Sequence, residues 1–203
     1  VAAGEIGTIR SVDASCGMNL AYQGTHALQA IGAFLPERTP VQVMGQVGGG
    51  KGLENTPKKH FAPDNALAVI SYDDGVQAHL QSGATAPQIG RDGIHTHKRI
   101  AVNGTRGYVH WTMWSWEIGI DGHVETGAHE YGDEDILGQA HMTEAMFDWL
   151  ADDSILHPLN LQSALSDFNV VLGIYTSALQ RRPVDLPCDP VDGLIDRLRS
   201  ELV

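Results

Sequence analysis

Cysteine is almost missing from this 203-residue chain: Cys16 and Cys188 stand alone and far apart. Two distant cysteines make no disulfide framework, so a reduced, cytoplasmic protein is the simpler expectation. Basic residues are also scarce, 13 against 25 acidic ones, for a formal net charge of -12. A surface of that sign repels phosphate backbones, which excludes nucleic acid as an expected partner. Long apolar runs are absent, so no membrane partner is expected. The opening residues Val1 to Arg10 lack a basic start followed by an apolar run, so no signal peptide is read there. An initiating methionine is lacking too. The chain opens in what reads as a strand, Gly7 to Ala14, and is expected to be a piece of a longer polypeptide. No repeat and no low-complexity linker divides it, so residues 1–203 are read as one domain.

What is present is two kinds of periodicity. Alternation predicts strands over Ile6 to Ala14, Val41 to Val47, Ala66 to Tyr72 and Val76 to Ser82, the last two joined by Asp73-Asp74-Gly75. A second pair, Lys98 to Val102 and Tyr108 to Ile118, flanks Asn103-Gly-Thr-Arg-Gly107, and Asp121-Gly122 ends it. Helical spacing predicts Thr25 to Leu35, stopped by Pro36. It returns from Gly138 through Leu150, over Leu161 to Leu179, and over Asp192 to Leu202. Gly48 to Asp64 reads as a loop. Strands followed by a run of helices predict an α+β fold, an open and mostly antiparallel sheet with helices on one face.

Several patterns suggest chemistry. Gly45-Gln-Val-Gly-Gly-Gly-Lys51 satisfies a phosphate-loop spacing, but Gly52 stands where Ser or Thr would hold magnesium and a poor helix start follows. A flexible loop is the better reading. No G-x-G-x-x-G follows a strand, so a dinucleotide fingerprint is lacking. His95 and His97 could offer two ligands from one strand edge, but no third is evident, and His123, His129, His141 and His157 share no ligand spacing; no metal is expected. Read as one strand, Tyr108 to Ile118 puts His110, Thr112, Trp114 and Trp116 on one face and Trp111 and Met113 on the other. Two apolar faces suggest core plus subunit interface, with Trp114 as a surface for stacking on a sugar ring. In Tyr22-Gln-Gly-Thr-His26, Thr25 reads as an N-cap and His26 falls in the first helical turn. There the helix dipole favours neutral imidazole, which can accept a hydroxyl proton. On spacing alone, a lone histidine near a helix start is more often structural.

Three stretches resemble the C-terminal region of the Gfo/Idh/MocA oxidoreductase family, relatives of glucose–fructose oxidoreductase and inositol dehydrogenase. Gly4-Glu-Ile-Gly-Thr-Ile-Arg10 before Gln23-Gly-Thr-His26 resembles the family's strand and active-site histidine helix. His97-Lys-Arg-Ile-Ala-Val-Asn-Gly-Thr-Arg-Gly107 resembles its hairpin. Ile174-Tyr-Thr-Ser-Ala-Leu179 with Pro183-Val-Asp-Leu-Pro187 resembles its closing helix and tail. The resemblance implies a substrate-binding and oligomerisation domain. A separate Rossmann domain would bind NAD or NADP and supply the lysine of a Glu-Lys-Pro motif. It further implies His26 as catalytic base, Tyr22, Thr25 and Trp114 as substrate contacts, a sugar or polyol substrate with a reacting secondary hydroxyl, and a homodimer or homotetramer. The family often carries an aspartate four residues before the histidine; here Tyr22 stands in that place, either donating to a substrate hydroxyl or packing. That departure leaves a second reading open: a non-catalytic ligand-binding or dimerisation module.

Overall fold

The computed structural model describes residues 1, 3–54, 61–87 and 98–202. Nine strands form one sheet: β1 (Ile9–Cys16), β2 (Pro40–Gly48), β3 (Asn65–Tyr72), β4 (Gln77–Ser82), β5 (Lys98–Gly104), β6 (Gly107–Thr112), β7 (Ser115–Ile120), β8 (His123–Ala128) and β9 (Val184–Asp185). Their order is β8-β7-β6-β5-β1-β4-β3-β2-β9. Only the β1–β4 pairing is parallel. Among the described residues four helices accompany the sheet: α1 (Thr25–Phe34), α2 (Tyr131–Ala151), α3 (Leu161–Gln180) and α4 (Leu194–Leu202). This is the expected α+β architecture with an open, mostly antiparallel sheet.

Strand period two sorts the sheet into faces. Val12, Ala14 and Cys16 of β1 point one way with Ala78 and Leu80 of β4 and Ile100 and Val102 of β5; all are buried. Helices α1 and α3 cover this face, and Leu28, Ile31, Val170 and Ile174 complete the core. Helix α3 crosses β2 at Gly45, where an added Cβ would lie 2.8 Å from Ile174 Cγ2 and 2.9 Å from its carbonyl oxygen. Gly45 N–H donates to Ser177 Oγ at 2.9 Å, and Ser177 Oγ donates to the Arg182 carbonyl at 2.7 Å. The opposite face is apolar at Met44 and Leu67 on β2 and β3 and carries a polar cluster on β1, β4, β5 and β6. Asp13 Oδ1 meets His79 Nδ1 at 3.1 Å, Asn103 Nδ2 donates to Asp13 Oδ2 at 3.3 Å, and Arg99 Nε donates to His110 Nε2 at 2.9 Å.

Four expectations need correction. The strand expected over Tyr108 to Ile118 is a tight hairpin, β6 turning into β7 at Met113-Trp114. The Thr112 hydroxyl makes the turn, accepting from Trp114 N–H at 3.2 Å and Ser115 N–H at 3.0 Å. A hydroxyl that satisfies local amides competes with ladder pairing, so no Gly or Pro is needed. Trp111 and Trp116 therefore face each other across the hairpin on one side, and Trp114 sits in the turn. The strand expected from Ile6 begins at Ile9; buried Ile6 is held by its carbonyl, which accepts from Arg106 N–H at 2.9 Å. Helix α2 starts at Tyr131, not Gly138, with Asp133 and Glu134 in its first turn, where the helix dipole favours acids. Strand β8, polar and exposed, carries no alternation and was not expected.

Candidate functional site

The site residues gather at one end of the sheet. The chain leaves β1 at Cys16 and closes a turn capped by Asn19, whose side chain accepts from Tyr22 N–H at 3.0 Å. A single π-helical turn, Leu20–Gly24, follows and runs straight into α1. Gln23 is buried, and its Oε1 accepts from Met18 N–H at 3.0 Å, tying the turn to the strand end. Gly24 is required by close approach: a Cβ there would meet Leu20 Cδ1 at 2.4 Å. Thr25 is therefore not the N-cap. Its backbone is already helical (φ -62°, ψ -37°), and the cap lies a full turn earlier at Asn19. His26 consequently sits beyond the first turn of the combined helix, where the dipole is weak.

The imidazole is nevertheless held neutral. His26 has its pKa lowered from 6.5 first by partial burial and then by the Lys98 ammonium. Lys98 is the residue that spacing alone did not single out. Register pairs it with Cys16 across β1–β5, and Cys16 pairs in turn with Ser82 of β4. Lys98 thus stands on the face that α1 covers, half-buried beside the helix entrance. Burial pushes the Cys16 thiol up to about 12, opposed only in part by the Lys98 charge. Cys16 therefore stays a thiol, its Sγ directed at the Met18 carbonyl at 3.7 Å, and is no nucleophile.

An aromatic group stands at the same sheet end. Thr112 pairs with Arg99, so the turn after Thr112 lies beside the start of β5. Trp114 in that turn meets Tyr131 edge-on, ring centroids 6.0 Å apart. His129 follows β8; its N–H donates to the Trp114 carbonyl at 2.9 Å, its ring lies 5.7 Å from that of Trp111, and its Nδ1 meets Glu134 Oε2 at 2.8 Å. Tyr22, Thr25 and His26 share the α1 entrance, with Tyr22 exposed. Trp114 belongs to a separate element at the same end. His129 has a buried Nε2 with no hydrogen-bond partner, a feature that ligand spacing could not reveal.

The remaining candidates resolve differently. The glycine loop at Gly45–Lys51 cradles no phosphate. At its end the chain's own carboxylate takes two amides, Lys51 N–H donating to Asp64 Oδ2 at 3.0 Å and the following Gly52 N–H to Asp64 Oδ1 at 2.8 Å. A 3₁₀ turn, Lys51–Leu53, occupies part of the expected loop. His157 is structural: Nδ1 accepts from Leu159 N–H at 3.0 Å and Nε2 donates to the Met142 carbonyl at 3.1 Å. The His95–His97 pair lies outside the described residues. Among the described residues no group of three or more His, Cys, Asp or Glu is placed to hold a metal ion. No helix among them is long and apolar enough to cross a membrane.

No protein-family profile and no curated protein matches the chain by sequence. Solved structures match it by fold. An NAD-binding oxidoreductase from Klebsiella pneumoniae superposes with a TM-score of 0.72 at 14% identity, over 93% of this chain and 61% of its own. An oxidoreductase from Agrobacterium radiobacter in complex with NAD+, L-tartaric acid and magnesium gives 0.67 at 16%, over 91% and 58%. A levoglucosan dehydrogenase in complex with NADH and levoglucosan gives 0.66 at 16%, over 93% and 61%. The chain thus spans about three fifths of the length of these structures. At such identities the likeness shows the fold, one found in NAD-binding oxidoreductases.

Proposed function

We propose that this chain is the substrate-binding half of an NAD(P)-dependent oxidoreductase that oxidises a secondary hydroxyl of a sugar, polyol or similar compound. The observation that carries the reading is His26, kept neutral at the mouth of a sheet whose fold recurs in NAD-binding oxidoreductases. A neutral imidazole can accept the hydroxyl proton as the alcohol becomes a carbonyl, and the pKa most useful for that lies near the working pH. Tyr22 and Thr25 flank His26 on the α1 entrance and serve as hydrogen-bond partners of neighbouring hydroxyls. The Trp114 ring, backed by Tyr131, offers a flat apolar face to a sugar ring.

The described residues do not fit a dinucleotide. The one glycine-rich loop is filled by Asp64, so no step is assigned to the cofactor here. In this reading NAD or NADP is held by a Rossmann domain beyond residues 1–203, which then form one substrate and oligomerisation domain. The assembly is a homodimer or homotetramer. Its support is the apolar surface left on α2 and the start of α3, where Phe147, Leu150, Leu161 and Phe168 are exposed. Two free cysteines suit a reducing, cytoplasmic setting.

The test is to assay the complete polypeptide with NAD and NADP against a panel of sugars, polyols and hydroxy acids, following nicotinamide reduction. Substrate-dependent reduction by at least one compound is expected. Tyr22 in place of an acid favours the alternative, a ligand-binding module. Saturable binding of a panel compound with no reduction of either cofactor would establish that alternative and exclude the enzyme.

A further inference from the structure

We propose that Lys98 is a specificity-determining residue whose ammonium receives an anionic substituent, carboxylate or phosphate, of the compound that His26 faces. The inference deepens the function proposed above and rests on its placement of substrate at the α1 entrance. It begins with the register. Lys98 is the first residue of β5, paired with Cys16 at the last residue of β1, on the face beneath α1. Its backbone is fixed by the sheet, and its charge is felt at both Cys16 at the strand end and His26 on α1.

Among the described residues nothing compensates the cation. No carboxylate among them lies within ion-pairing distance of Lys98, whereas Arg38, Arg106 and Arg199 pair with Asp74, Asp121 and Asp196. Arg99, the next residue, points to the opposite face and donates to His110. The titratable groups that feel the Lys98 charge are Cys16 on β1 and His26 on α1. Burial raises Cys16 and lowers His26, so both stay neutral beside the ammonium. Among the described residues this half-buried lysine has only neutral titratable neighbours, in a chain that carries 25 acidic residues. A ligand anion pairs with it through a charge-assisted hydrogen bond. Burial first, and the same cation second, favour His26 in the form that accepts a proton. A single residue therefore couples recognition of the anion to readiness of the base.

The test uses the complete polypeptide in solution, with the His26 ring carbon–proton NMR signal as reporter. Sodium gluconate, glucose 6-phosphate, glucose and ionic-strength-matched sodium chloride are titrated in parallel. Binding of an anion at Lys98 cancels the charge that depresses His26, so its pKa should rise. Gluconate, glucose 6-phosphate or both should move the signal saturably, and which of them does so identifies the anion as carboxylate or phosphate. Glucose and chloride should not move it. Lys98→Met should weaken the response at least tenfold, and Lys98→Arg should retain it with an unchanged melting temperature. Equal responses to glucose and the anions, no saturable response, or a response that survives in Lys98→Met would each overturn the proposal. Failure here is separable from failure of the catalytic reading. If the complete enzyme reduces NAD(P) while the anion response is missing, only the role of Lys98 falls. An anion response without turnover leaves the site standing and removes the enzyme.

Discussion

At the scale of single residues, two titrating groups carry opposite pH signatures. Asp167 on α3 has its carboxyl pushed up to about 6 by burial, from 3.8. The folded chain therefore binds a proton that the unfolded chain has released between those values, so stability falls as pH rises through that window. Asp167→Asn should raise the melting temperature above pH 6 and leave it unchanged near pH 4; melting curves at both values check this. For His26 the sign reverses. Its lowered pKa means the folded state resists protonation, so its contribution is present above 6.5 and is lost as pH falls through the depressed value. The acid limb of kcat/KM should accordingly lie below pH 6.5. Lys98→Met should move it toward higher pH, read from pH–rate profiles of the complete enzyme. What was legible at this scale was the direction of the His26 shift. The cause was not legible, because the entrance to α1 is a π turn capped by Asn19, and helical periodicity counts turns of 3.6 residues only. Lys98 was quoted in the hairpin motif but could not be placed beside His26. That neighbourhood arises from β1–β5 register, which joins residues distant in sequence.

At the scale of elements, legibility followed packing. Strands β2, β3 and β4 and helices α1 and α3 bury one face, and each betrays itself by period two or by helical spacing. Strand β8 and the start of α2 bury almost nothing, so no pattern is imposed on them. The β6–β7 turn hid because its chemistry is one hydroxyl, Thr112, among tryptophans. The phosphate-loop pattern misled because the spacing says nothing about Asp64, which arrives from beyond the loop to occupy the amides. The contact of α3 with β2 supplies the prediction at this scale. Gly45→Ala drives a methyl into Ile174 and its carbonyl, and should cost about 1–3 kcal/mol, the usual range for overpacking. Denaturant unfolding should show a lower midpoint with an unchanged slope. An unchanged midpoint would mean that α3 can lift from β2 without loss.

At the scale of the whole molecule, the apolar surface lies where the sequence did not put it. The two-faced strand expected to drive association through the sheet is a hairpin, and the open sheet face carries Asp13, His79, Arg99 and Asn103. Exposed apolar side chains cluster on α2 and the first turns of α3, among them Ile136, Phe147, Leu150 and Phe168, while the sheet itself exposes Met44, Leu67 and Val124. Association through this surface is the reading proposed above, since exposed apolar patches often serve as contact sites. Light scattering should therefore show association of the chain, weakened by Phe147→Ser with Leu150→Ser; a monomer at high concentration would contradict it. The central claim, however, concerns proton transfer, and kinetics of His26→Ala in the complete polypeptide test it most directly. The account predicts a kcat lower by about 10² to 10⁴, the usual loss for a general acid–base group, with an unchanged melting curve. Near-normal kcat and kcat/KM would contradict it and remove His26 from the chemistry.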